Sequence, residues 1–441
     1  MKKKILVFGA GLVSRPGIHY LLKKNHLSVT VADIDLDKAK SLLVGYDHAK
    51  AIRLDINDTP SVRIAISNHD IIVSLLPWEF HPRIAKTCIL ESRHLITASY
   101  VSDEMRDLDK EAREKDILLL NEMGVDPGYD HMTAMDVIDR VKNEGGKVTA
   151  FYSYCGGLPS PENNDNPLGY KFSWSPKGAL LSSVNSAQYK ENGKIIKIDG
   201  PDLMSNTRIE EITGMGDFEV YPNRDSLPYM STYGLNDAST IMRGTLRYKG
   251  WSETHRAIQN IGMTNETKFS NLQNNTYREI MAQLSGAKPD SDLKKSVAEK
   301  IGVNTASPII NQFEWLGLFS NKKVTNKDNH LDILVDLMEE KMSYSDNEKD
   351  MIILQHTFHV ESADGTPEKI VSTLIDYGIP FGDSSMARTV SLPLAVSVGL
   401  MADNKIKCRG VQIPIIKEIY KPVLKELETL GIKMTEKFYS I

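Results

Sequence analysis

Short apolar runs and amphipathic stretches alternate through the first 121 residues of the chain. Runs rich in β-branched residues predict six strands, at residues 5–9, 28–33, 51–55, 71–76, 94–98 and 117–120. The segments between them, such as Thr59–Ser67, begin with polar residues that are typical of helix N-termini. Strands that alternate with helices at this spacing predict right-handed crossovers and a parallel sheet that is covered on both faces. The pattern therefore predicts a doubly wound α/β domain.

The alternation stops after Gly124, where a second domain is expected to begin. Residues 254–342 carry apolar side chains at helical spacing, and strand patterning returns at residues 351–360 and 369–376. Residues 384–401 then predict a long helix that is apolar on nearly all sides. Such a helix must be buried between other elements, and we expect it to pack back on the first domain.

Composition places the chain among soluble folded proteins of two or three domains. It has 441 residues, of which 41% are hydrophobic and 25% are charged. The net charge of -5 gives no positive excess that would attract nucleic acid, so a small molecule is the expected partner. No stretch reads as a membrane span, and the basic, apolar N-terminus lacks the cleavage site of a signal peptide.

Cysteine usage and metal-ligand spacing exclude two further classes of site. Cys88, Cys155 and Cys408 are odd in number and far apart, which favours reduced thiols over a disulfide framework. The sequence has no C-x-x-C or H-E-x-x-H motif, so no metal site is expected. We therefore expect a cytoplasmic protein.

The first predicted strand runs directly into a glycine-rich turn and then into a predicted helix. Residues 9–14 read Gly-Ala-Gly-Leu-Val-Ser, a G-x-G-x-x-S pattern close to the fingerprint of dinucleotide-binding domains. In that motif Gly9 makes the tight turn and Gly11 lets the backbone approach a pyrophosphate, while Ser14 takes the place of the third glycine. Asp33 ends the second strand 22 residues after Gly11, about where the fingerprint has an acidic residue. This context favours a Rossmann dinucleotide-binding domain.

Other cofactor contacts are expected from the loops that follow later strands. Ligands of open α/β sheets bind beyond the carboxyl ends of the strands, so these loops should meet at one edge. The expected cofactor-binding residues of this domain are Gly9, Gly11, Leu12, Val13, Asp33, Asp55, Ile56, Leu75, Leu76, Ala98 and Val125.

The end of the second strand also predicts which nicotinamide cofactor is used. A carboxylate at Asp33 would accept hydrogen bonds from the adenosine ribose hydroxyls and would repel a 2′-phosphate. At about 4 Å, like charges near a protein surface repel each other by up to roughly 4 kcal/mol. NAD(H) is therefore expected to be favoured over NADP(H), although Lys38 and Lys40 are close enough in sequence to neutralise a phosphate.

These patterns together predict three parts. The first is the Rossmann domain, residues 1–126, which residues 384–441 rejoin. The second is an inserted α+β substrate-binding domain that comprises residues 127–253 and 343–383. The third is a helical subdomain at residues 254–342.

Several longer runs are far more specific than the glycine fingerprint. They are Leu-Leu-Pro at 75–77, Thr-Ala-Ser-Tyr at 97–100, Asn-Glu-Met-Gly-Val-Asp-Pro-Gly at 121–128, Ser-Tyr-Cys-Gly-Gly-Leu-Pro at 153–159, Tyr-Pro-Asn-Arg-Asp-Ser at 221–226 and Arg-Gly-Thr-Leu-Arg-Tyr at 243–248. Over essentially the whole chain, these runs resemble the glutamate-forming saccharopine dehydrogenases, also called saccharopine reductases.

The resemblance implies an enzyme that interconverts saccharopine with glutamate and 2-aminoadipate 6-semialdehyde by means of a nicotinamide cofactor. It also implies a cofactor contact at Ser175. The substrate contacts that it implies are Ser99, Tyr100, Asp126, Arg224, Thr245, Leu246 and Arg247.

The residue types suit that chemistry. Saccharopine has three carboxylates, and Arg224 and Arg247 can each bind one of them bidentately. Asp126 is the catalytic candidate, because its carboxylate could hold the substrate's ammonium group or accept a proton, unless it only forms the turn before a proline. His131 and Lys171 are the other candidates for proton transfer.

Two alternative functions stay open. A related dehydrogenase could act on another secondary amine, carboxynorspermidine or homospermidine, but such substrates have fewer carboxylates and would not need two arginines. A non-catalytic nucleotide-binding sensor would retain the fold alone. The sequence also leaves a homodimer open.

Overall fold

The computed structural model describes residues 2–288 and 291–441, and the chain divides into two compact units. The first unit comprises Met1–Val148 and His359–Ile441. The second unit comprises Thr149–Phe358.

The first unit begins with alternating strands and helices. The strands are β1 (Lys3–Phe8), β2 (Leu27–Asp33), β3 (Lys50–Arg53), β4 (Ile71–Ser74), β5 (His94–Thr97) and β6 (Leu118–Leu120). The helices are α1 (Arg15–Leu22), α2 (Leu36–Ser41), α3 (Thr59–Ser67), α4 (His81–Leu90), α5 (Asp103–Arg106), α6 (Asp109–Glu114) and α7 (Tyr129–Asn143).

The second unit combines a mixed sheet with seven helices among its described residues. The strands are β7 (Lys147–Pro159), β8 (Ala187–Glu191), β9 (Lys194–Ile198), β10 (Arg208–Ile212), β11 (Gly216–Pro222), β12 (Thr240–Arg247) and β13 (Asp350–Glu361). The helices are α8 (Pro176–Ser182), α9 (Pro228–Thr232), α10 (Trp251–Ile261), α11 (Tyr277–Ser285), α12 (Leu293–Ile301), α13 (Pro308–Leu316) and α14 (His330–Met342).

The chain then returns to the first unit. This last part consists of β14 (Pro367–Tyr377), α15 (Ser385–Ala402), β15 (Gly410–Gln412), α16 (Lys417–Thr429) and β16 (Thr435–Ser440).

The main sheet of the first unit is parallel throughout, in the order β15-β6-β5-β4-β1-β2-β3. Leaving out β15, this is the strand order of a Rossmann domain. Successive residues Ile5 and Leu6 of β1 are both fully buried, so both faces of the sheet are covered. All six predicted strands are present and the doubly wound fold is confirmed. The short seventh strand, β15, was not predicted.

The division between the units differs from the boundaries expected at residues 126 and 384. Helix α7 lies with the first unit because it packs against α16, where the Tyr420 hydroxyl donates to Asp139 over 2.5 Å. Strand β14 lies with the first unit because it pairs antiparallel with β16. Helix α16 lies almost 300 residues after α7 in the sequence. Strand β16 lies about 60 residues after β14.

The long apolar helix expected at residues 384–401 is α15. By length and composition it could cross a membrane, but 78% of its apolar window is buried inside the protein. It packs against α1 and α16, and the Ser384 hydroxyl caps its first turn by accepting from the Ala387 amide over 3.0 Å. We therefore interpret α15 as a core helix of the first unit.

In the second unit the sheet order is β10-β11-β12-β7-β13, and the β8–β9 hairpin joins at β12. Strands β7 and β12 are parallel, whereas β12, β11 and β10 run antiparallel to one another in turn. The helices expected at residues 254–342 are present as α10–α14. They belong to this same compact unit, and the large side chains Trp251 and Phe313 are buried among them.

Candidate functional site

The glycine-rich turn between β1 and α1 has the geometry that a dinucleotide requires. Gly9 has a φ of 101°, which favours glycine, and a Cβ there would lie 3.3 Å from the backbone of Leu75. A Cβ at Gly11 would meet no described atom within 4 Å, so the backbone faces open space. The buried Ser14 hydroxyl donates to the Gly11 carbonyl over 2.8 Å and closes the turn. An exposed turn that leads into a helix N-terminus fits a pyrophosphate, and Leu12 and Val13 lie within this turn.

Asp33 supports that turn from the neighbouring strand. One carboxylate oxygen accepts from the Ala10 amide over 2.7 Å, and the other accepts from the Asp35 amide over 2.8 Å. The β3–α3 connection adds Asp55, whose carboxylate accepts from the Asn57 amide over 2.8 Å. Ile56 is partly buried beside it. Parallel strands end at the same edge, so these residues follow β1, β2 and β3 at the edge where a dinucleotide binds.

The loops after β4 and β5 are joined by a buried histidine. The ring of His81 lies 3.1 Å from the Thr97 hydroxyl and also bonds the carbonyl of Leu76. The same Thr97 hydroxyl accepts from the Ser99 amide over 3.3 Å. Burial lowers the pKa of His81 to about 4, so the ring is neutral at pH 7. His81 thus ties the loop of Leu75 and Leu76 to the loop of Ala98 and Ser99.

Tyr100 and Asp126 are in direct contact in the first unit. The Tyr100 hydroxyl donates to a carboxylate oxygen of Asp126 over 2.9 Å. Asp126 follows the buried Val125, and its peptide bond to Pro127 is cis. The structure therefore brings together two of the predicted substrate contacts, next to the predicted cofactor contact Val125.

Two of the predicted residues of the second unit, Thr245 and Arg247, lie on one face of its sheet. Thr245 pairs with Tyr221 on β11 and with Cys155 on β7, so these three share a face. Arg247, two residues further on, points the same way. The fully buried Leu246 side chain points to the opposite face, where only its backbone could reach a ligand on the Thr245 side.

Arg247 lies inside a box of aromatic rings. Its side chain is only 3% exposed, and its guanidinium carbon lies 5.0 Å from the ring centre of Tyr170, 5.6 Å from that of Trp251 and 5.8 Å from that of Tyr221. One terminal nitrogen donates to the Leu246 carbonyl over 2.8 Å. Its Nε, like the Tyr221 hydroxyl and the Trp251 ring nitrogen, has no hydrogen-bond partner among the described residues. A buried cation with spare donors around it is suited to an anion.

His255 closes the box without adding charge. Its ring stacks on Trp251 with the ring centres 5.0 Å apart. Burial, followed by the nearby charge of Arg247, lowers the pKa of His255 to about 3. The box therefore carries a single positive charge at neutral pH. Its aromatic members were not predicted, although Tyr221 and Trp251 each lie within a few residues of a predicted arginine.

Other candidates from the sequence have different surroundings. Arg224 is exposed, and its φ of 55° is unusual for a residue with a side chain. Ser175 is exposed and caps α8 by accepting from the Gly178 amide over 3.2 Å. Lys171 is nearly buried and pairs with Asp165 and Glu348. Burial opposes its charge, but these carboxylates outweigh burial and raise the pKa of Lys171, so it is not suited to act as a base.

Comparison with known families covers both units. The family model "Saccharopine dehydrogenase NADP binding domain" matches residues 5–120, and "Saccharopine dehydrogenase C-terminal domain" matches residues 124–432. Within the described residues, no cluster of three or more histidine, cysteine or acidic side chains could hold a metal ion.

Several characterised proteins are similar over nearly the full chain. The chain is 40% identical to saccharopine dehydrogenase (NADP(+), L-glutamate-forming) of Schizosaccharomyces pombe, over 98% of both proteins. It is 41% identical to the protein of the same name from Saccharomyces cerevisiae, over 99% of both. It is 37% identical to the mitochondrial alpha-aminoadipic semialdehyde synthase of Bos taurus, of which it covers 48%. The apo structure of the Saccharomyces cerevisiae enzyme superposes with a TM-score of 0.90 and covers 99% of this chain and 100% of that one.

The expected preference for NAD(H) over NADP(H) is wrong. The family model that matches residues 5–120 describes an NADP binding domain, and the fungal relatives are named for NADP(+). The geometry of Asp33 gives a physical reason. Both of its carboxylate oxygens accept backbone hydrogen bonds from Ala10 and Asp35, so the side chain supports the turn. Its position at the strand end therefore does not indicate a contact to the ribose hydroxyls.

An added methyl group is expected to affect cofactor binding at one glycine near this turn and stability at another. Gly11→Ala should fold with wild-type stability but bind a dinucleotide about tenfold more weakly, because its Cβ would occupy space that is open for the pyrophosphate. Gly17→Ala should instead lower the free energy of unfolding by about 1–3 kcal/mol, since its Cβ would lie 2.7 Å from the Ser391 carbonyl oxygen. Cofactor titration and urea unfolding measure the two effects. Unchanged affinity in Gly11→Ala would place the pyrophosphate elsewhere.

His255 predicts a dependence of stability on pH. Because its pKa is about 3 when folded and about 6.5 when unfolded, the unfolded chain binds more protons between these values. Stability should therefore fall as the pH decreases from 6 to 4. His255→Phe keeps a ring to stack on Trp251 and should reduce this slope by up to about 1.4 kcal/mol per pH unit. Urea unfolding at several pH values measures the slope, and an unchanged slope would mean that His255 titrates normally.

Proposed function

The chain belongs to the saccharopine dehydrogenase family, and on this premise we propose that it is a glutamate-forming saccharopine dehydrogenase of lysine metabolism. It interconverts saccharopine with L-glutamate and 2-aminoadipate 6-semialdehyde, and its cofactor is NADP(H). The observation that carries the proposal is 41% identity to the Saccharomyces cerevisiae enzyme over 99% of both chains. Because that match includes both units, it covers the predicted cofactor and substrate residues alike.

The reaction requires positioning and proton transfer from the protein. In the oxidative direction, a hydride leaves the carbon beside the secondary amine of saccharopine, and water then splits the resulting imine into glutamate and the semialdehyde. The nicotinamide, when bound, supplies the hydride acceptor, so no protein nucleophile is needed. What the side chains contribute is orientation of the substrate and control of the amine proton.

Asp126 and Tyr100 are the proposed contacts to the amine. The Asp126 carboxylate balances the charge of the secondary ammonium group and accepts its proton, so that the nitrogen lone pair can assist hydride loss. Tyr100, which donates to Asp126 over 2.9 Å, holds the carboxylate in one orientation. Ser99, whose amide is held by Thr97, is the proposed neighbouring contact.

The two arginines are the proposed contacts to substrate carboxylates. Arg247 is buried among aromatic rings, and its Nε has no partner within the described part of the chain, so a carboxylate there would accept charge-assisted hydrogen bonds. Arg224 is exposed at the end of β11 and is the proposed contact for a second carboxylate. Carboxynorspermidine and homospermidine have fewer carboxylates, so two arginines favour saccharopine over them.

NADP(H) requires a positive charge for its 2′-phosphate near the end of β2. Arg53 is exposed at the end of β3 and lies in register with Asp33. Neither Arg53 nor Lys38 has an ion-pair partner in the part of the chain that the structure describes, whereas Lys40 contacts Asp37 over 3.8 Å. Arg53 and Lys38 are therefore the proposed phosphate contacts.

The direct test is turnover of saccharopine by the purified protein. Saccharopine and NADP+ should give reduced nicotinamide together with glutamate, which mass spectrometry identifies. Homospermidine and carboxynorspermidine are the comparison substrates, and NAD+ is the comparison cofactor. Turnover of a polyamine without turnover of saccharopine would contradict the proposed function, as would cofactor binding without any turnover.

Replacement of Arg247 tests the proposed carboxylate contact. Arg247→Ala should cost about 2–5 kcal/mol in kcat/KM for saccharopine, a loss of at least about 30-fold, because a substrate carboxylate would lose its buried partner. The KM for NADP+ should hardly change. Lys249→Ala is the matched control, since Lys249 lies two residues away but pairs with Asp217 on the surface. An equal loss of cofactor affinity in Arg247→Ala would mean that the residue is structural.

A further inference from the structure

Glu122 and His131 form a buried pair that takes no direct part in the proposed chemistry. Glu122 is 3% exposed and His131 is fully buried, and a Glu122 carboxylate oxygen lies 2.7 Å from Nε2 of His131. Both carboxylate oxygens of Glu122 already contact protein groups, one at Nε2 of His131 and the other at the Val101 amide. The pair belongs wholly to the first unit, where Glu122 follows β6 and His131 lies in the first turn of α7.

Glu122 also fixes the loop that carries Ser99 and Tyr100. Its second carboxylate oxygen accepts from the Val101 amide over 2.9 Å, and its own amide donates to the Ser99 carbonyl over 3.1 Å. Its φ of 60° lies in the left-handed region, which costs a residue with a side chain roughly 1–2 kcal/mol. That cost is tolerated where surrounding contacts define the conformation, as they do at Glu122.

On the other side of the pair, Nδ1 of His131 lies 3.7 Å from a carboxylate oxygen of Asp130, which in turn holds the connection that carries Asp126. Asp130 accepts from the Gly128 amide over 2.6 Å, and the Asp130 amide donates to the Val125 carbonyl over 3.0 Å. Asp126 lies between these two bonds, in the connection from Glu122 to α7. The Tyr100 hydroxyl donates to Asp126, and the next residue, Val101, donates its amide to Glu122. These contacts form a closed ring that begins and ends at Glu122.

The energetics of buried pairs indicate what this pair contributes. Replacing a buried polar pair by apolar side chains of similar volume is often neutral or stabilising, so stability is a weak reason for its presence. In several proteins a buried pair instead specifies one arrangement of the segments that it joins. Strand β5 ends at Thr97 and β6 ends at Leu120, so sheet hydrogen bonds alone do not fix the loops beyond them.

We propose that Glu122 and His131 are positioning residues that set the geometry of the Tyr100–Asp126 pair. The inference rests on the proposed function, in which Asp126 manages the proton of the substrate amine. Without the Glu122–His131 contact, the loops that carry Tyr100 and Asp126 would no longer be held in one relative orientation. A displacement of about 1 Å is enough to reduce turnover by roughly 100-fold.

The experiment compares Glu122→Ala with the conservative Glu122→Gln. We expect Glu122→Ala to lower kcat for saccharopine by about tenfold or more, while the KM for NADP+ stays within about twofold. Glu122→Gln keeps an oxygen for the Val101 amide and a polar group toward His131, so it should recover most of kcat. His131→Gln supplies a second, milder disruption if Glu122→Ala folds poorly, and it should lower kcat in the same way.

Tyr420→Phe is the matched control, because it removes a hydrogen bond to Asp139 on the same helix, α7, away from the loop of Asp126. It should lower stability and leave kcat unchanged. Wild-type kcat in folded Glu122→Ala or His131→Gln would overturn the inference, as would a parallel loss of NADP+ affinity. Absence of saccharopine turnover in the wild-type protein would instead contradict the proposed function.

Discussion

The carboxyl edge of the parallel sheet is the constraint on which the first unit depends. Backbone groups in the loops beyond this edge have no sheet partners, and those that are buried must be satisfied in some other way. Side chains in these loops do this: Asp33 accepts from Ala10, Thr97 accepts from Ser99, and Glu122 accepts from Val101. These polar side chains therefore stabilise the loops of this edge, and the residues proposed to contact the ligands lie in those loops.

The second unit contains a buried positive charge enclosed by aromatic rings. Its mixed sheet places Tyr221, Thr245 and Arg247 on one face, and aromatic rings enclose the guanidinium. His255 is held neutral beside it by burial, so the positive charge is not shared with a second cation. A single buried charge with spare donors attracts an anion strongly, because little water competes for it.

The sequence predicted the elements that depend on local pattern. The six strands and the turn at Gly9 follow from alternation and from glycine, which act over a few residues. Strand β15 reads Gly-Val-Gln, without the apolar run that marks the equally short β6. The position of α7 in the first unit depends on α16, almost 300 residues later, and no local pattern contains that contact.

The wrong cofactor preference has a similar origin. The sequence places Asp33 at a strand end but does not show that its carboxylate accepts from Ala10 and Asp35. Likewise, the aromatic box around Arg247 combines residues from three separate segments, so its members are visible in the sequence but their assembly is not. Tertiary hydrogen bonds determine the role of Asp33, and tertiary packing determines which rings surround Arg247. Neither can be read from local sequence.

The central claim is that the side chains of Asp33, Thr97 and Glu122, of which the last two are buried, hold the edge loops in place before any ligand binds. Hydrogen–deuterium exchange at residue resolution, on the protein without cofactor, tests it most directly. The amides of Ala10, Ser99 and Val101 should exchange nearly as slowly as those of the central strands β1 and β4. If these three amides exchanged as fast as those of the exposed segment 44–48, the loops would be ordered only by ligand, which would contradict the claim.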